Sequence, residues 1–338
     1  MRNTFFGVAL AIAVFAGGRP EVRADDLEQA LQSVVRVRTT VPLQASTAAT
    51  LGTRREGNGV LIDGSGLILT IGYLIVEADR IEVESAGGVL RADFVGYDAD
   101  SGFGLVRARG FLGTKPMPLG DSSLVQVGDE LVVGGFGGEN QPVRLISRGE
   151  FVGSWEYLLE DALYAAPAYR DFGGAALIRE GRLVGVGSIL ATFSVGGSRR
   201  LPCNMFVPID LLKPILAELV RAGRSGQPPH PWLGVNTDEI EGHVMVTLVT
   251  PGGPADKAGL QKGDIILAVD RQPVAGVAQF YRRLWAAGPA GAAVRLRVLQ
   301  GERIRELTVR SADRSERLLH PARPNDGVTF SQRALAAS

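Results

Sequence analysis

The stretch Arg170-Asp171-Phe172-Gly173-Gly174-Ala175, followed by the apolar run Ala176-Leu177-Ile178, sets a glycine pair directly ahead of a short strand. Backbone N–H groups at such a turn can converge on an oxyanion, although a Gly-Gly pair alone marks any tight turn. What surrounds it decides its meaning. Upstream lie short apolar runs at 34–38, 80–83, 89–95, 104–107, 130–134 and 143–149, and Asp63-Gly64-Ser65 joins two more, 57–62 and 66–70, as a hairpin. Downstream, Arg182-Leu183-Val184-Gly185-Val186-Gly187 continues the style. Short strands between glycine-rich turns predict a mainly β fold, a barrel or sandwich. Residues 41–56 read as a loop, and 27–40 begins with a helical turn.

The texture changes after residue 207. Residues 208–222 look helical, and Gly223-Arg224-Ser225-Gly226-Gln227-Pro228-Pro229-His230-Pro231 has the composition of a linker. From Trp232 to about Ala312 a smaller α+β unit mixes strands with helical stretches at 255–258 and 277–287; the polar tail at 313–338 is expected to be flexible.

The 338 residues suffice for two domains with sizeable cores. Lys+Arg and Asp+Glu both total 36, so the basic excess that phosphate binding needs is absent and nucleic acid is excluded as a partner. Residues 1–24 read as a secretory signal: Arg2, an apolar run from Phe5 to Ala16, then Val22-Arg23-Ala24 as the cleavage site, with retention as an uncleaved anchor as the alternative. The run is too short for a membrane span, so a periplasmic or secreted protein without a stable span is expected. Cys203 is the single cysteine, which rules out an intramolecular disulfide; it reads as a small buried hydrophobe. With thiolate and imidazole so scarce, neither a metal nor a cofactor is expected.

In order, these segments resemble the HtrA/Deg family of exported trypsin-fold serine proteases with one PDZ domain, over roughly residues 27–310. The resemblance is carried by Gly57-Asn58-Gly59-Val60, Ile68-Leu69-Thr70-Ile71-Gly72-Tyr73, Leu119-Gly120-Asp121-Ser122 with Val127-Gly128-Asp129, and Asp161-Ala162 ahead of Gly173-Gly174. It implies a trypsin-like double β-barrel of two six-stranded barrels over 25–222, a linker over 223–231 and a PDZ domain over 232–312. The family's catalytic positions fall on Tyr73 for the histidine, Gly102 for the aspartate and Phe172 for the serine. Ala175 replaces the proline after the glycine pair, and extra residues intervene between Pro167 and Phe172, so the oxyanion loop is altered as well. No catalytic residue is therefore expected.

Chemistry gives the same answer without the alignment. His230, His243 and His320 all lie at or beyond the linker, so the barrels hold no imidazole to deprotonate a hydroxyl. A tyrosine titrating near 10 does not replace it. Asp98 or Asp100 could supply a displaced carboxylate, which orients a base without being one. Lys115 and Lys213, the only lysines ahead of the linker, leave a serine–lysine dyad as the one escape route. Tyr73 and Phe172 are large enough to plug a collapsed cleft together.

In the second unit, Pro231-Trp232-Leu233-Gly234-Val235 resembles the PDZ carboxylate-binding loop. Successive N–H groups there converge on a terminal carboxylate, and a glycine allows close approach; an extended peptide then adds as a strand. Pro251-Gly252-Gly253-Pro254-Ala255-Asp256-Lys257-Ala258-Gly259-Leu260 and Lys262-Gly263-Asp264-Ile265-Ile266 carry the rest of the likeness. Val277, Phe280, Tyr281, Leu284 and Trp285 form a helical stripe whose edge faces the peptide. Peptide-binding candidates are Trp232, Leu233, Gly234, Val235, Tyr281 and Leu284, with Leu233, Val235, Tyr281 and Leu284 forming the pocket for an apolar last side chain.

The expected function is that of an exported HtrA-like pseudoprotease, a scaffold, adaptor or regulator binding protein C-termini or unfolded polypeptides, with an active protease relative as a further partner. The alternatives are an active serine endopeptidase of periplasmic protein quality control with a rearranged site, and a chaperone-like holdase. Relatives trimerise through aromatics near the mature N-terminus; residues 25–72 hold none, which leaves oligomeric state open.

Overall fold

The computed structural model describes residues 24–194 and 200–318. Val35 and Val37 of β1 (Val34–Thr40) are buried while Arg36 and Arg38 reach solvent, the period-two pattern of a strand with one wet face. β1 pairs with β2 (Arg54–Leu61), which turns at Asp63 into β3 (Leu67–Ile71). One Asp63 carboxylate oxygen accepts from the Ser65 and Leu67 amides at 2.8 and 3.0 Å and makes that turn. With β4 (Arg80–Ser85), β5 (Gly88–Tyr97) and β6 (Phe103–Ala108) these strands close a six-stranded barrel, in the order β1-β2-β3-β6-β5-β4. A second closed barrel repeats the order with β7 (Glu130–Gly134), β8 (Asn140–Gly153), β9 (Tyr157–Ala166), β12 (Arg200–Pro208), β11 (Arg182–Ser194) and β10 (Ala176–Arg179). The trypsin-like double barrel is thus formed.

Several elements differ from the sequence reading. β2 starts three residues inside the expected loop, because Arg54, Arg55 and Glu56 continue the ladder with Thr40, Thr39 and Arg38. α1 (Ala24–Gln32) and the single-turn α2 (Ala48–Leu51) flank β1. β9 went unread. Its inner face packs in the barrels while Leu158, on the other face, packs on the core of the second unit, so the strand lacks a clean alternation. The helix expected over 208–222 is shortened to α3 (Leu216–Ala222), preceded by a 3-10 turn at Ile209–Leu211. Pro214 has no N–H to carry the helix between them.

The C-terminal unit is an antiparallel sheet in the order β13 (Val235–Ile240), β14 (His243–Val249), β15 (Ile265–Val269), β17 (Ala293–Gln300), β18 (Arg303–Arg310), with β16 (Gln272–Pro273) on β15. The short α4 (Pro254–Lys257) and α5 (Val277–Ala286) complete this α+β PDZ unit. Residues 223–231 are docked rather than loose: the Tyr97 amide donates to the Gly223 carbonyl at 3.1 Å, and the His230 ring lies on Trp285 at 4.5 Å. Residues 313–318, expected to be flexible, form a 3-10 turn from Arg314 to Arg317, with the Arg317 guanidinium 5.6 Å from the Trp232 ring. Of the expected signal over 1–24, residues 1–23 lie outside the described residues, as does the tail beyond residue 318.

At the turn ahead of β10, Gly174 has φ +74°, and a Cβ there would stand 1.9 Å from the Asn58 carbonyl oxygen. Gly174→Ala adds a left-handed backbone penalty to a backbone clash, so it is expected to cost about 2–4 kcal/mol, read as a lower urea midpoint at unchanged slope.

Candidate functional site

Between the barrels, Asn58 and Tyr73 of the first face the glycine turn and β11 of the second. The Asn58 amide donates to the Gly173 carbonyl at 2.7 Å, and its side-chain Nδ2 donates to the Asp171 carbonyl at 2.6 Å. Tyr73 sits on the 3-10 turn after β3, and its hydroxyl donates to the Ser188 carbonyl at 3.0 Å. A Cβ on Gly173 would meet that hydroxyl at 2.7 Å. Burial pushes the phenol well above its ordinary pKa, further from any role as a base. Among the described residues no ring pair joins Tyr73 to Phe172; what meets the Tyr73 hydroxyl is the Ser188 carbonyl and the backbone at Gly173. Phe172 is half-buried and closes the turn by accepting the Ala175 amide at 3.0 Å.

Gly102 has φ +79°, its carbonyl accepts from the Gly72 amide at 2.7 Å, and a Cβ would lie 3.2 Å from the Tyr157 hydroxyl. That hydroxyl donates to the Ser101 carbonyl at 2.7 Å. A carboxylate side chain at 102 would thus be strained and would meet Tyr157. Asp98 accepts from the Ser101 amide and hydroxyl at 2.8 and 2.6 Å, tying its own turn, and Asp100 lies 3.4 Å from His230 Nε2 at the linker. Lys213 pairs with Asp210, and Lys115 offers its carbonyl to the Ser33 hydroxyl at 2.8 Å.

In the PDZ unit the backbone cradle is built as expected and is filled. Gly234 has φ +81°, which turns successive N–H groups to one side. The Leu233 amide donates to Glu156 Oε2 at 2.9 Å, and the Gly234 and Val235 amides donate to Oε1 at 2.7 and 2.9 Å. Glu156 comes from the tip of the β8–β9 hairpin of the second barrel. Two residues earlier, the Ser154 carbonyl accepts from the Thr237 amide at 2.8 Å. The Tyr281 hydroxyl lies 2.9 Å from both the Gly153 and Ser154 carbonyls and accepts the Glu156 amide at 3.1 Å. Leu233, Val235, Tyr281 and Leu284, expected to line a pocket, are packed into the PDZ core, and the Tyr281 ring is fully buried. Trp232 stays half-buried under Arg317 and bridges to Ala312.

A trypsin-like peptidase domain model matches residues 57–186, and a PDZ domain model matches 231–311. The chain is HtrA/Deg-like. The serine endoprotease DegS of Salmonella typhimurium is 28% identical to this HtrA/Deg-like chain over 242 residues, covering 65% of the chain and 66% of DegS. A protein of Pseudomonas putida named "Probable periplasmic serine endoprotease DegP-like" is 29% identical over 238 residues, covering 64% and 48%. The chain thus spans about half to two thirds of these relatives' length. Among solved structures, the HtrA-type protease AlgW with a decapeptide has a TM-score of 0.53 at 22% identity, covering 88% of this chain and 99% of AlgW. A serine endoprotease of Yersinia pestis has a TM-score of 0.51 at 21% identity, covering 87% and 97%.

Sequence reasoning about this HtrA/Deg-like chain missed Glu156. The available signal was Gly153-Ser154-Trp155-Glu156-Tyr157, an acidic residue framed by aromatics at a short turn. Burial pushes the Glu156 carboxyl up to about 7, against the three amides and Arg314, which hold it down. Asp98, Asp100, Arg224, His230, Asp313 and Arg314 line the cavity of ≈ 100 Å³ beside it, and Tyr281 faces it from α5. Because the folded protein binds the proton more tightly than an exposed glutamate at 4.5, linkage makes the stability this proton contributes fully present below about 4.5 and lost as pH rises through about 7. Between about pH 5 and pH 8 the thermal midpoint of the intact chain should therefore fall, by the equivalent of up to about 3 kcal/mol, and Glu156→Gln should flatten that slope.

Proposed function

We propose that this HtrA/Deg-like chain is an exported pseudoprotease that works as an adaptor, holding protein C-termini through its PDZ domain. The observation that carries the reading is Tyr73: at the position the resemblance gives to the family's general base, a half-buried tyrosine donates its phenol to a backbone carbonyl, and no histidine precedes residue 230. A serine hydroxyl without such a base loses about 10²- to 10⁴-fold in rate. The left-handed backbone at Gly102 and the absence of a serine in Arg170-Asp171-Phe172-Gly173-Gly174 support the same conclusion. Peptide holding is supported by the three converging amides of residues 233–235 and by the peptides bound to AlgW. The name of the DegP-like relative supports a periplasmic location.

The relatives' names favour a second reading, an active serine endoprotease. The two separate cleanly. Incubated with a labelled unfolded protein, the mature chain is expected to release no fragments, and a serine-reactive phosphonate to label nothing. Peptides with a free C-terminal carboxylate are expected to bind while their amidated counterparts do not. Hydrolysis that disappears when one barrel residue is changed would overturn the adaptor reading.

A further inference from the structure

We infer that residues 153–156 are a built-in ligand of the PDZ domain, with the Glu156 side-chain carboxylate standing in for a protein's terminal carboxylate, so that the groove stays closed until a C-terminal peptide displaces the hairpin tip. The inference rests on the adaptor reading, because it takes the PDZ groove to be a reader of C-termini.

The register carries it. A peptide joining a PDZ sheet antiparallel to its first strand puts its carboxylate on the loop amides and, further back, its backbone on that strand. Glu156 meets the amides of Leu233, Gly234 and Val235. Ser154, two residues back, offers its carbonyl to Thr237, two residues along β13. The hairpin tip therefore occupies the groove in the direction and spacing of a bound C-terminus. A true C-terminus ends there, whereas this chain must continue into β9. Glu156 solves the problem with φ +57°, a conformation in which L-residues are strained, so that the backbone turns away while the side chain carries the carboxylate on.

Two further features fit an internal ligand. The Tyr281 hydroxyl holds the Gly153 and Ser154 carbonyls and the Glu156 amide, while its ring is fully buried in the PDZ core. Space remains beside the tip: a cavity of ≈ 520 Å³ is lined by Ser154, Thr237, Asp238, Glu239, Val277 and Arg282. An invading C-terminus can enter there and replace the tip once the Tyr281 hydroxyl releases it.

A fluorescent peptide library with random last four residues and free carboxylates, selected on the mature full chain, supplies the probe; the best binder is then titrated against wild type, Glu156→Ala and Tyr281→Phe. Removing the tether's carboxylate should raise apparent affinity about ten-fold or more, since a closed groove lowers the competent fraction by that factor. Tyr281→Phe, which keeps the ring and loses the hydroxyl's hold, should raise it in the same direction. Amide exchange at Gly234 and Val235 should speed up in Glu156→Ala and not on amidated-peptide addition to wild type. Equal affinity in wild type and both variants, with exchange unchanged, overturns the built-in ligand and leaves the adaptor standing. Binding to none of the three chains overturns both.

Discussion

The Glu156 carboxylate in the amide cradle of residues 233–235 is the contact by which the barrels and the PDZ unit define each other's position. Each N–H to a charged oxygen contributes about 1.5–3 kcal/mol net, while taking a carboxylate out of water costs several kcal/mol. Desolvation is the larger, which is why the Glu156 carboxyl is pushed up. What tips the balance is apolar: Val152 and Leu158 of the hairpin pack against the PDZ core, while Trp155 and Tyr157 stack at 5.6 Å against the barrel core. The Arg282 pairs to Glu150 and Glu160 lie on the surface, with the arginine side chain 44% exposed, and at under about 1 kcal/mol each they steer the docking more than they hold it.

A contact assembled from offsetting terms can be exchanged. An arriving C-terminus brings its own carboxylate and its own strand, so the exchange replaces three amide bonds with three amide bonds. The difference left to decide the outcome is the strain at Glu156, the Tyr281 hydroxyl bonds and the hairpin's apolar contacts. Tyr157 links that decision to the barrels, because the residue after Glu156 donates its hydroxyl to the Ser101 carbonyl, next to Gly102.

Much of this was legible in the residue order. The hairpin at Asp63 and most strands of the barrels follow from local turn chemistry and glycine placement, which a short window of sequence carries, and the cradle at 231–235 from a family resemblance. The occupant of the cradle does not. Glu156 and Leu233 are 77 residues apart, and an acidic residue framed by aromatics at a turn does not say which distant donors it meets. The stripe on α5 misled for a related reason: Tyr281 and Leu284 recur at core spacing, and only the three-dimensional position of the hairpin shows that the Tyr281 ring lies in the core while its hydroxyl meets the tip. β9 was hard to see because Leu158 on its outer face packs on the other domain and breaks the alternation a one-sided strand would show.

The glycine pair that resembles a protease motif has a structural cause that owes nothing to catalysis. Gly174 is pressed against the Asn58 carbonyl and the Thr70 hydroxyl, and Gly173 against the Tyr73 hydroxyl, so any side chain at either position would collide with the opposite barrel. Asn58 then donates to the Asp171 carbonyl and accepts from the Phe136 amide at 2.9 Å, joining the turn to both barrels at once. A seam of this kind demands Gly-Gly whether or not a nucleophile precedes it. The same pair thus identifies the fold and is silent on the chemistry, which has to be argued from the side chains at 73, 102 and 172.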